Sequence, residues 1–109
     1  MSKTSKKIAE LNDMFRQTGI GGKIVMTVGV QALGREVVNE VMTKISAFKA
    51  FSKDNDPYGE HDFGVITVNG EKIFWKICYY DRALEYGSPD PSDPVVTCRV
   101  MTVMTALEY

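Results

Sequence analysis

The stretch that decides the fold is VITVNGEKIFWKICYY, residues 65–80. Two runs rich in β-branched and aromatic residues flank Asn69-Gly70, the dipeptide that most strongly favours a two-residue hairpin, because both turn positions need a positive φ. A turn of this length fixes the register, so Gly64 is predicted to face Trp75. A glycine at that position leaves room for the indole. The sequence therefore predicts a β-hairpin with a tightly packed tryptophan.

Other elements are predicted on either side of the hairpin. Apolar residues at helical spacing predict a helix that ends at Gly19 and another over 34–51. Strands are predicted over 23–30 and 95–107, and the second is apolar on both sides, as is typical of a central or covered strand. We therefore expect one α+β domain, residues 1–109, with a mainly antiparallel four-stranded sheet packed by two helices in the order α-β-α-β-β-β.

Composition is that of an ordinary globular domain. Of 109 residues, 44% are hydrophobic and 25% are charged, which excludes the classes of disordered and membrane-spanning chains. The basic first residues are not followed by an apolar stretch, so we expect no signal peptide and a cytoplasmic location. Cys78 and Cys98 lie in apolar, strand-like runs, where we expect reduced thiols.

The net charge of −1 hides an asymmetry. Residues 1–53 carry nine Lys or Arg against four Asp or Glu, and residues 54–109 carry four against ten. Such a split is typical of a basic face for an anionic partner and an acidic face elsewhere. The interpretation we favour is that the two halves interleave in space and that their fields largely cancel.

Glu60, His61 and Asp62 are the candidate catalytic residues, since His61 is the only histidine and lies between two carboxylates. The pattern allows an acid–base pair or a metal site. If the hairpin ladder extended by two residues, His61 would lie across from Cys78. One histidine and two cysteines outside a C-x-x-C motif cannot fill a structural zinc site, so we favour a structural histidine and expect no metal and no cofactor.

Aromatic residues near the end of the hairpin have two interpretations. Trp75, Tyr79 and Tyr80 beside Lys76 have the composition of a stacking platform for nucleic acid, but core packing explains aromatics in a central strand more simply. Phe74 and Trp75 point to opposite faces of the strand, so at most one face is such a platform.

One loop carries a resemblance to a known family. The run N-D-P-Y-G-E-H-D-F-G at 55–64, together with segments 74–81 and 88–91, resembles the uncharacterised bacterial domain-of-unknown-function family number 3768, often encoded on phages and plasmids. The resemblance extends over nearly the whole chain from Ile24. Cys78 stands where the resemblance implies an acidic residue, which argues against a thiol function. The family's mobile-element setting favours a small protein that blocks or adapts a host system.

Our first functional hypothesis is a non-enzymatic protein-interaction module, such as a phage- or plasmid-encoded inhibitor of a host defence system like a CRISPR effector. Its partner would be a protein, including one in a nucleic-acid-handling complex, and no membrane is involved. The acidic loops would make the contacts, because charged surfaces steer and select partners. The candidate contact residues are Asp54, Asp56, Tyr58, Glu60, Asp90 and Asp93.

The sequence also allows two alternative functions and a homodimeric assembly. The first alternative is a metal-assisted nuclease or hydrolase that uses Glu60, His61 and Asp62. The second is a nucleic-acid-binding protein that uses the basic first helix, through Lys3, Lys6, Lys7 and Arg16. A homodimer would form if the strand over 95–107 lay at a sheet edge and paired with its copy.

Overall fold

The first strand is shorter than predicted because Thr27 ends it and caps a helix. Thr27 has extended backbone angles, and its Oγ1 accepts a hydrogen bond from the backbone N–H of Val30, which starts a short helix where the sequence predicted strand. The computed structural model describes residues 3–109. Its elements are α1 Lys3–Thr18, β1 Gly22–Met26, α2 Val28–Gln31, α3 Arg35–Ser46, β2 Phe63–Val68, β3 Glu71–Tyr80 and β4 Cys98–Thr105, followed by a 3-10 turn at Ala106–Glu108.

The predicted hairpin of β2 and β3 is confirmed in its register. Asn69 and Gly70 both have positive φ, at 50° and 80°, as a two-residue turn requires. Gly64 lies opposite Trp75, and a Cβ added to Gly64 would lie 2.5 Å from the indole Nε1. The glycine is therefore needed for the close approach of the ring.

The strands form a mixed sheet in the order β1-β4-β3-β2. β2–β3 and β3–β4 are antiparallel, but β1 is parallel to β4, so the sheet is not antiparallel throughout. The predicted α+β class with a four-stranded sheet is confirmed. The edges of the sheet are β1 and β2. β4 lies between β1 and β3 and is not an edge strand, so the condition under which this strand was expected to pair with a second copy is not met.

The helices cover one side of the sheet and enclose the core. Trp75 is fully buried there, which supports core packing as its role. Burial of its ring, on the order of 200 Å² at about 25 cal/mol per Å², contributes about 5 kcal/mol. The core side chains are Phe15, Val30, Val41 and Ile45 from the helices and Ile66, Val68, Ile73, Trp75, Ile77, Met101 and Val103 from the strands.

The two longer helices end differently. α1 ends at Thr18, and Gly19 follows it as the predicted left-handed end residue, with a φ of 76° that turns the chain out of the helix and an N–H that donates to the carbonyl of Phe15. α3 ends at Ser46, earlier than predicted, because the next segment turns to pack Phe48 and Phe51 against Trp75. Between residues 3 and 109, no helix is both long and apolar enough to cross a membrane.

Candidate functional site

The 52–62 loop, which contains the motif that the sequence singled out, begins with a local turn. Asn55 Oδ1 accepts from the backbone N–H of Ser52, and Asn55 Nδ2 donates to the carbonyl of Ala50. The backbone N–H of Asp56 then donates to the carbonyl of Ser52 at 2.8 Å. These bonds close the first half of the loop on itself, as short polar side chains do in turns.

Asp56 closes the second half of the loop from inside. Its Oδ1 accepts from the backbone N–H groups of Glu60 and His61, at 3.0 and 3.2 Å. The residue is 7% exposed, so its carboxylate faces the loop backbone and not a partner. These bonds assign Asp56 a role in holding the loop, and its burial does not favour the predicted contact with a partner.

His61 is held by three neighbours. Its Nδ1 lies 2.9 Å from Asp13 Oδ1 on α1, and its Nε2 lies 3.8 Å from Asp56 Oδ2. The imidazole stacks on Phe51 with ring centroids 4.0 Å apart. Its backbone φ of 57° is unusual for a residue other than glycine, and such a conformation persists where the surroundings enforce it.

The pairing of His61 with Cys78, which a ladder two residues longer would give, does not form. The β2–β3 ladder ends at Phe63, and the last bond runs from the Ile77 N–H to the carbonyl of Asp62. The left-handed backbone of His61 then turns the chain toward α1. Cys78 lies in β3 opposite Val100 and is a free thiol, as is Cys98.

A buried polar hub at Asn12 joins the loop to the helix and the sheet. Asn12 is fully buried, and its Nδ2 donates to the Glu60 carbonyl at 2.9 Å and to the Tyr79 hydroxyl at 2.8 Å. Its Oδ1 accepts from Arg99 Nε at 2.7 Å. The Tyr79 hydroxyl in turn donates to Glu60 Oε1 at 2.9 Å, so the carboxylate of Glu60 has a partner inside the protein.

Burial perturbs the titrating groups around this hub. It raises the pKa of Tyr79, which therefore stays a neutral hydroxyl that donates to Glu60. It lowers the pKa of Arg99, against the opposing effect of nearby Tyr79 and Glu60. It also raises the pKa of Asp62, and the neighbouring charge of Glu60 adds to this effect.

Arg16, predicted among the nucleic-acid-binding cations, points into the protein. It is 4% exposed, and its Nη1 donates to the carbonyls of Ile45, Ser46 and Phe48 at the end of α3. A cation at a helix C-terminus satisfies the last carbonyls and the negative end of the dipole. Its Nη2 bonds to Asp13 at 2.8 Å. Arg16 is therefore a structural cation, and its burial does not favour the predicted contact with nucleic acid.

The other three cations of that prediction lie near the start of α1. Lys6 and Lys7 are exposed, and the side chain of Lys3 lies outside the described part of the structure. The basic surface of the first helix is thus reduced to its N-terminal turns.

The second acidic loop, residues 81–97, is tied to the same hub. Arg99, which bonds to Asn12, also donates through Nη2 to the carbonyl of Pro91. Asp90 Oδ1 accepts from the N–H of Ser92 at 3.1 Å, and Asp93 Oδ1 accepts from the N–H of Val95 at 2.9 Å. The structure thus anchors the two predicted contact loops on one pair of residues, Asn12 and Arg99.

The outer surface of the 52–62 loop contrasts with its interior. Tyr58 is 75% exposed, and Lys53, Asp54 and Pro57 are also exposed. A cavity of about 730 Å³ opens beside them, lined by residues 51–53 and 56–59. The loop therefore presents an aromatic ring next to an open concavity.

Sequence reasoning found the loop but missed Asn12, Asp13 and Arg99, which position it. One signal was present: Asn12 lies four residues after Ile8, in the apolar stripe of α1, where a polar residue faces inward. Glu60 and His61 bond to different partners. Over the part of the chain that the structure describes, no three His, Cys, Asp or Glu side chains are grouped so that they could hold a metal ion.

Comparisons with known proteins identify a family and no activity. No curated protein and no solved structure matches the chain. The family described as "Protein of unknown function (DUF3768)" has a sequence model that matches residues 26–108. This match spans most of the chain, includes both acidic loops and all of β2, β3 and β4, and leaves α1 outside. The chain therefore belongs to the DUF3768 family of proteins of unknown function.

Proposed function

We propose that this protein is a non-enzymatic protein-interaction module that presents Tyr58 on the 52–62 loop to a protein partner. The observation that carries the proposal is that some side chains of the loop bond to the protein interior while another is exposed to solvent. The side chains of Asp56, Glu60 and His61 bond inward, whereas Tyr58 is 75% exposed. A loop built in this way displays one aromatic residue on a fixed backbone.

An exposed aromatic side chain on an ordered backbone is well suited to binding. Tyrosine and tryptophan are enriched among the residues whose truncation costs an interface about 2 kcal/mol or more. A loop that is ordered before binding loses less conformational entropy when the complex forms. The cavity of about 730 Å³ beside Tyr58 offers space for a side chain of the partner.

The exposed carboxylates of the two acidic loops favour a partner with a basic surface. Asp54 is exposed in the same loop as Tyr58, and Asp90 is exposed in the 81–97 loop that shares the Asn12–Arg99 anchor. We propose that Asp54, Asp90 and Asp93 add acidic contacts around Tyr58. Proteins that handle nucleic acid present basic surfaces, and an acidic module complements them.

The biological setting that we propose is the cytoplasm of a bacterial host. The protein would be encoded on a phage or plasmid and would inhibit a host defence system such as a CRISPR effector. The motif at residues 55–64 and the acidic loops support this setting, together with membership of a family without an assigned reaction. The proposed mechanism is coverage of a basic nucleic-acid site on the effector.

Affinity capture from host lysate after nuclease treatment tests the proposal. The wild-type protein is expected to retain one stoichiometric protein, identified by mass spectrometry. Tyr58→Ala is expected to retain at least about tenfold less, because loss of a hot-spot ring costs about 2 kcal/mol or more. Tyr86→Ala is the matched control, since Tyr86 is 74% exposed in the other loop. Equal capture by both variants, or capture of nucleic acid alone, would contradict the proposal.

A metal-assisted nuclease or hydrolase is the second candidate, and one observation favours it. Burial and the charge of Glu60 raise the pKa of Asp62 within a loop that also holds His61, and perturbed carboxyl groups are frequent in active sites. This candidate predicts that His61→Phe, which keeps a ring to stack on Phe51, abolishes metal-dependent cleavage of a nucleic-acid substrate without loss of folding. Unchanged cleavage in that variant would remove it.

A further inference from the structure

The sheet has a second face, turned away from the helices, that we call the outer face. Side chains alternate along a strand, so the outer face receives the even-numbered residues of β3 and β4 and the odd-numbered residues of β1 and β2. The opposite set, which includes Trp75, Ile77 and Met101, packs with Phe15 and Ile45 of the helices in the core. The outer face is therefore the side of the sheet that the helical layer leaves open.

Aromatic rings are grouped on the outer face. Phe63 and Phe74 are neighbours on β2 and β3, with ring centroids 5.8 Å apart. The ring of Tyr109 lies 4.7 Å from that of Phe74 and is 66% exposed. Tyr80 is exposed further along β3, at its end. Flat rings on an open sheet are surfaces on which unpaired bases stack.

The charged residues that the strands place on the outer face all have the same sign. They are Lys23, Lys72 and Lys76, and all three are exposed. The chain carries a net charge of −1, so without these three cations the rest of the protein carries −4. A local group of cations in an acidic protein complements a polyanion.

The register interleaves the cations with rings and hydroxyl groups. Lys76 lies between Phe63 on β2 and Thr102 on β4. Lys72 lies opposite Thr67. Each of these lysines thus lies opposite a threonine whose hydroxyl can donate to a phosphate oxygen, and each lies two residues from Phe74 along β3.

We infer that the outer face binds single-stranded nucleic acid, with bases stacked on Phe74 and Tyr109 and phosphates beside Lys72 and Lys76. A duplex keeps its bases stacked within the helix and offers no free base to these rings. A second copy of this chain, packed face to face, would set lysines against lysines, which is unfavourable. The inference does not depend on the proposed role of Tyr58, since it uses a different surface.

Fluorescence anisotropy of labelled oligonucleotides of about 12 nucleotides, oligo-dT and oligo-rU, tests the inference on the full chain. The two lysine–phosphate contacts, at Lys72 and Lys76, predict a slope of about −1.4 when log K is plotted against log salt concentration. The double variant Lys72→Gln, Lys76→Gln is expected to bind at least about tenfold more weakly and with a flatter slope. Phe74→Leu, which keeps an apolar side chain but removes the ring, is expected to weaken binding without changing the melting temperature much.

The matched control is Lys6→Gln, Lys7→Gln, which removes the same charge from the exposed start of α1. It is expected to bind like the wild type.

The inference is overturned if neither oligonucleotide binds at low salt, about 50 mM. It is also overturned if the control alone weakens binding, or if a duplex or polyglutamate binds equally well. Tighter binding of oligo-dT identifies DNA as the ligand, and tighter binding of oligo-rU identifies RNA. Equal affinities indicate that the face recognises only the chemistry that the two share.

Discussion

The imidazole of His61 lies flat on the ring of Phe51, with the centroids 4.0 Å apart and the ring planes 1° from parallel. Phe51 in turn meets Trp75, the largest buried side chain, edge to face at 6.1 Å. The only histidine of the chain thus connects the 52–62 loop to the hydrophobic core. The loop is coupled to the stability of the domain through this contact and through the Asn12 hub.

Asn12→Ala is expected to destabilise the protein by about 2–4 kcal/mol, since it leaves the buried guanidinium of Arg99 and the hydroxyl of Tyr79 each without one partner. Urea unfolding measures the change. Asn39→Ala, an exposed site on α3, is the control and is expected to stay within about 0.5 kcal/mol. A loss as small as that of the control would show that the hub contributes little.

Gly64→Ala is expected to cost roughly 1–3 kcal/mol, because the new Cβ would lie 2.5 Å from Trp75 Nε1 in a fully packed core. Gly87→Ala provides the comparison, since the nearest atom to its Cβ would be 3.9 Å away and its φ is not positive. Thermal unfolding of both variants is the measurement. Equal melting temperatures would mean that the indole moves aside at little cost.

Asp62→Asn is expected to stabilise the protein at pH 7. Burial raises the pKa of Asp62 in the folded state, so the folded protein favours the protonated carboxyl. That preference contributes fully below the ordinary value of 3.8 and is lost as pH rises through the raised pKa. The gain in melting temperature seen at pH 7 should therefore vanish at about pH 3, below the ordinary pKa of 3.8, where the carboxyl is protonated in both states. Asp54→Asn, at an exposed carboxylate of the same loop, should give no such pH-dependent gain.

Glu108→Gln is expected to destabilise the protein at neutral pH, which is the opposite of the effect of Asp62→Asn. Hydrogen bonds from Thr27, Thr105 and Gly29 lower the pKa of Glu108 from 4.5 to about 2. The stabilisation is present above pH 4.5 and is lost as pH falls toward 2. The variant should melt below the wild type at neutral pH, with a difference that narrows as the solution is acidified. Glu85→Gln, at another exposed position, should show no narrowing difference.

The hairpin was predictable because its register depends on local chemistry alone. Asn69-Gly70 fixes the turn, and the turn fixes Gly64 opposite Trp75. The parallel pairing of β1 with β4 was not predictable, since it depends on where α2 and α3 carry the chain between these strands. The short helix α2 was also missed, because β-branched residues around Thr27 favour strand and only its capping bond favours helix.

The location of the site was predictable from the sequence, but the roles of its individual residues were not. The 52–62 loop stood out by composition, but whether a carboxylate bonds inward or faces solvent depends on tertiary contacts. Asp56 and Arg16 were placed at the surface because charged residues are mostly exposed, and both are buried with partners. Asp13 and Arg99 are far from the loop in sequence, so no local pattern connects them to it.

Amide hydrogen exchange in the 52–62 loop, followed by NMR, tests most directly the claim that the loop is held from inside. The backbone N–H groups of Glu60 and His61 bond to the carboxylate of Asp56. They are expected to exchange slowly in the wild type and rapidly in Asp56→Ala, while the amides of β3 keep their protection in both. Rapid exchange of these two amides in the wild type would show that the loop is not locked, and would contradict the account of a fixed platform for Tyr58.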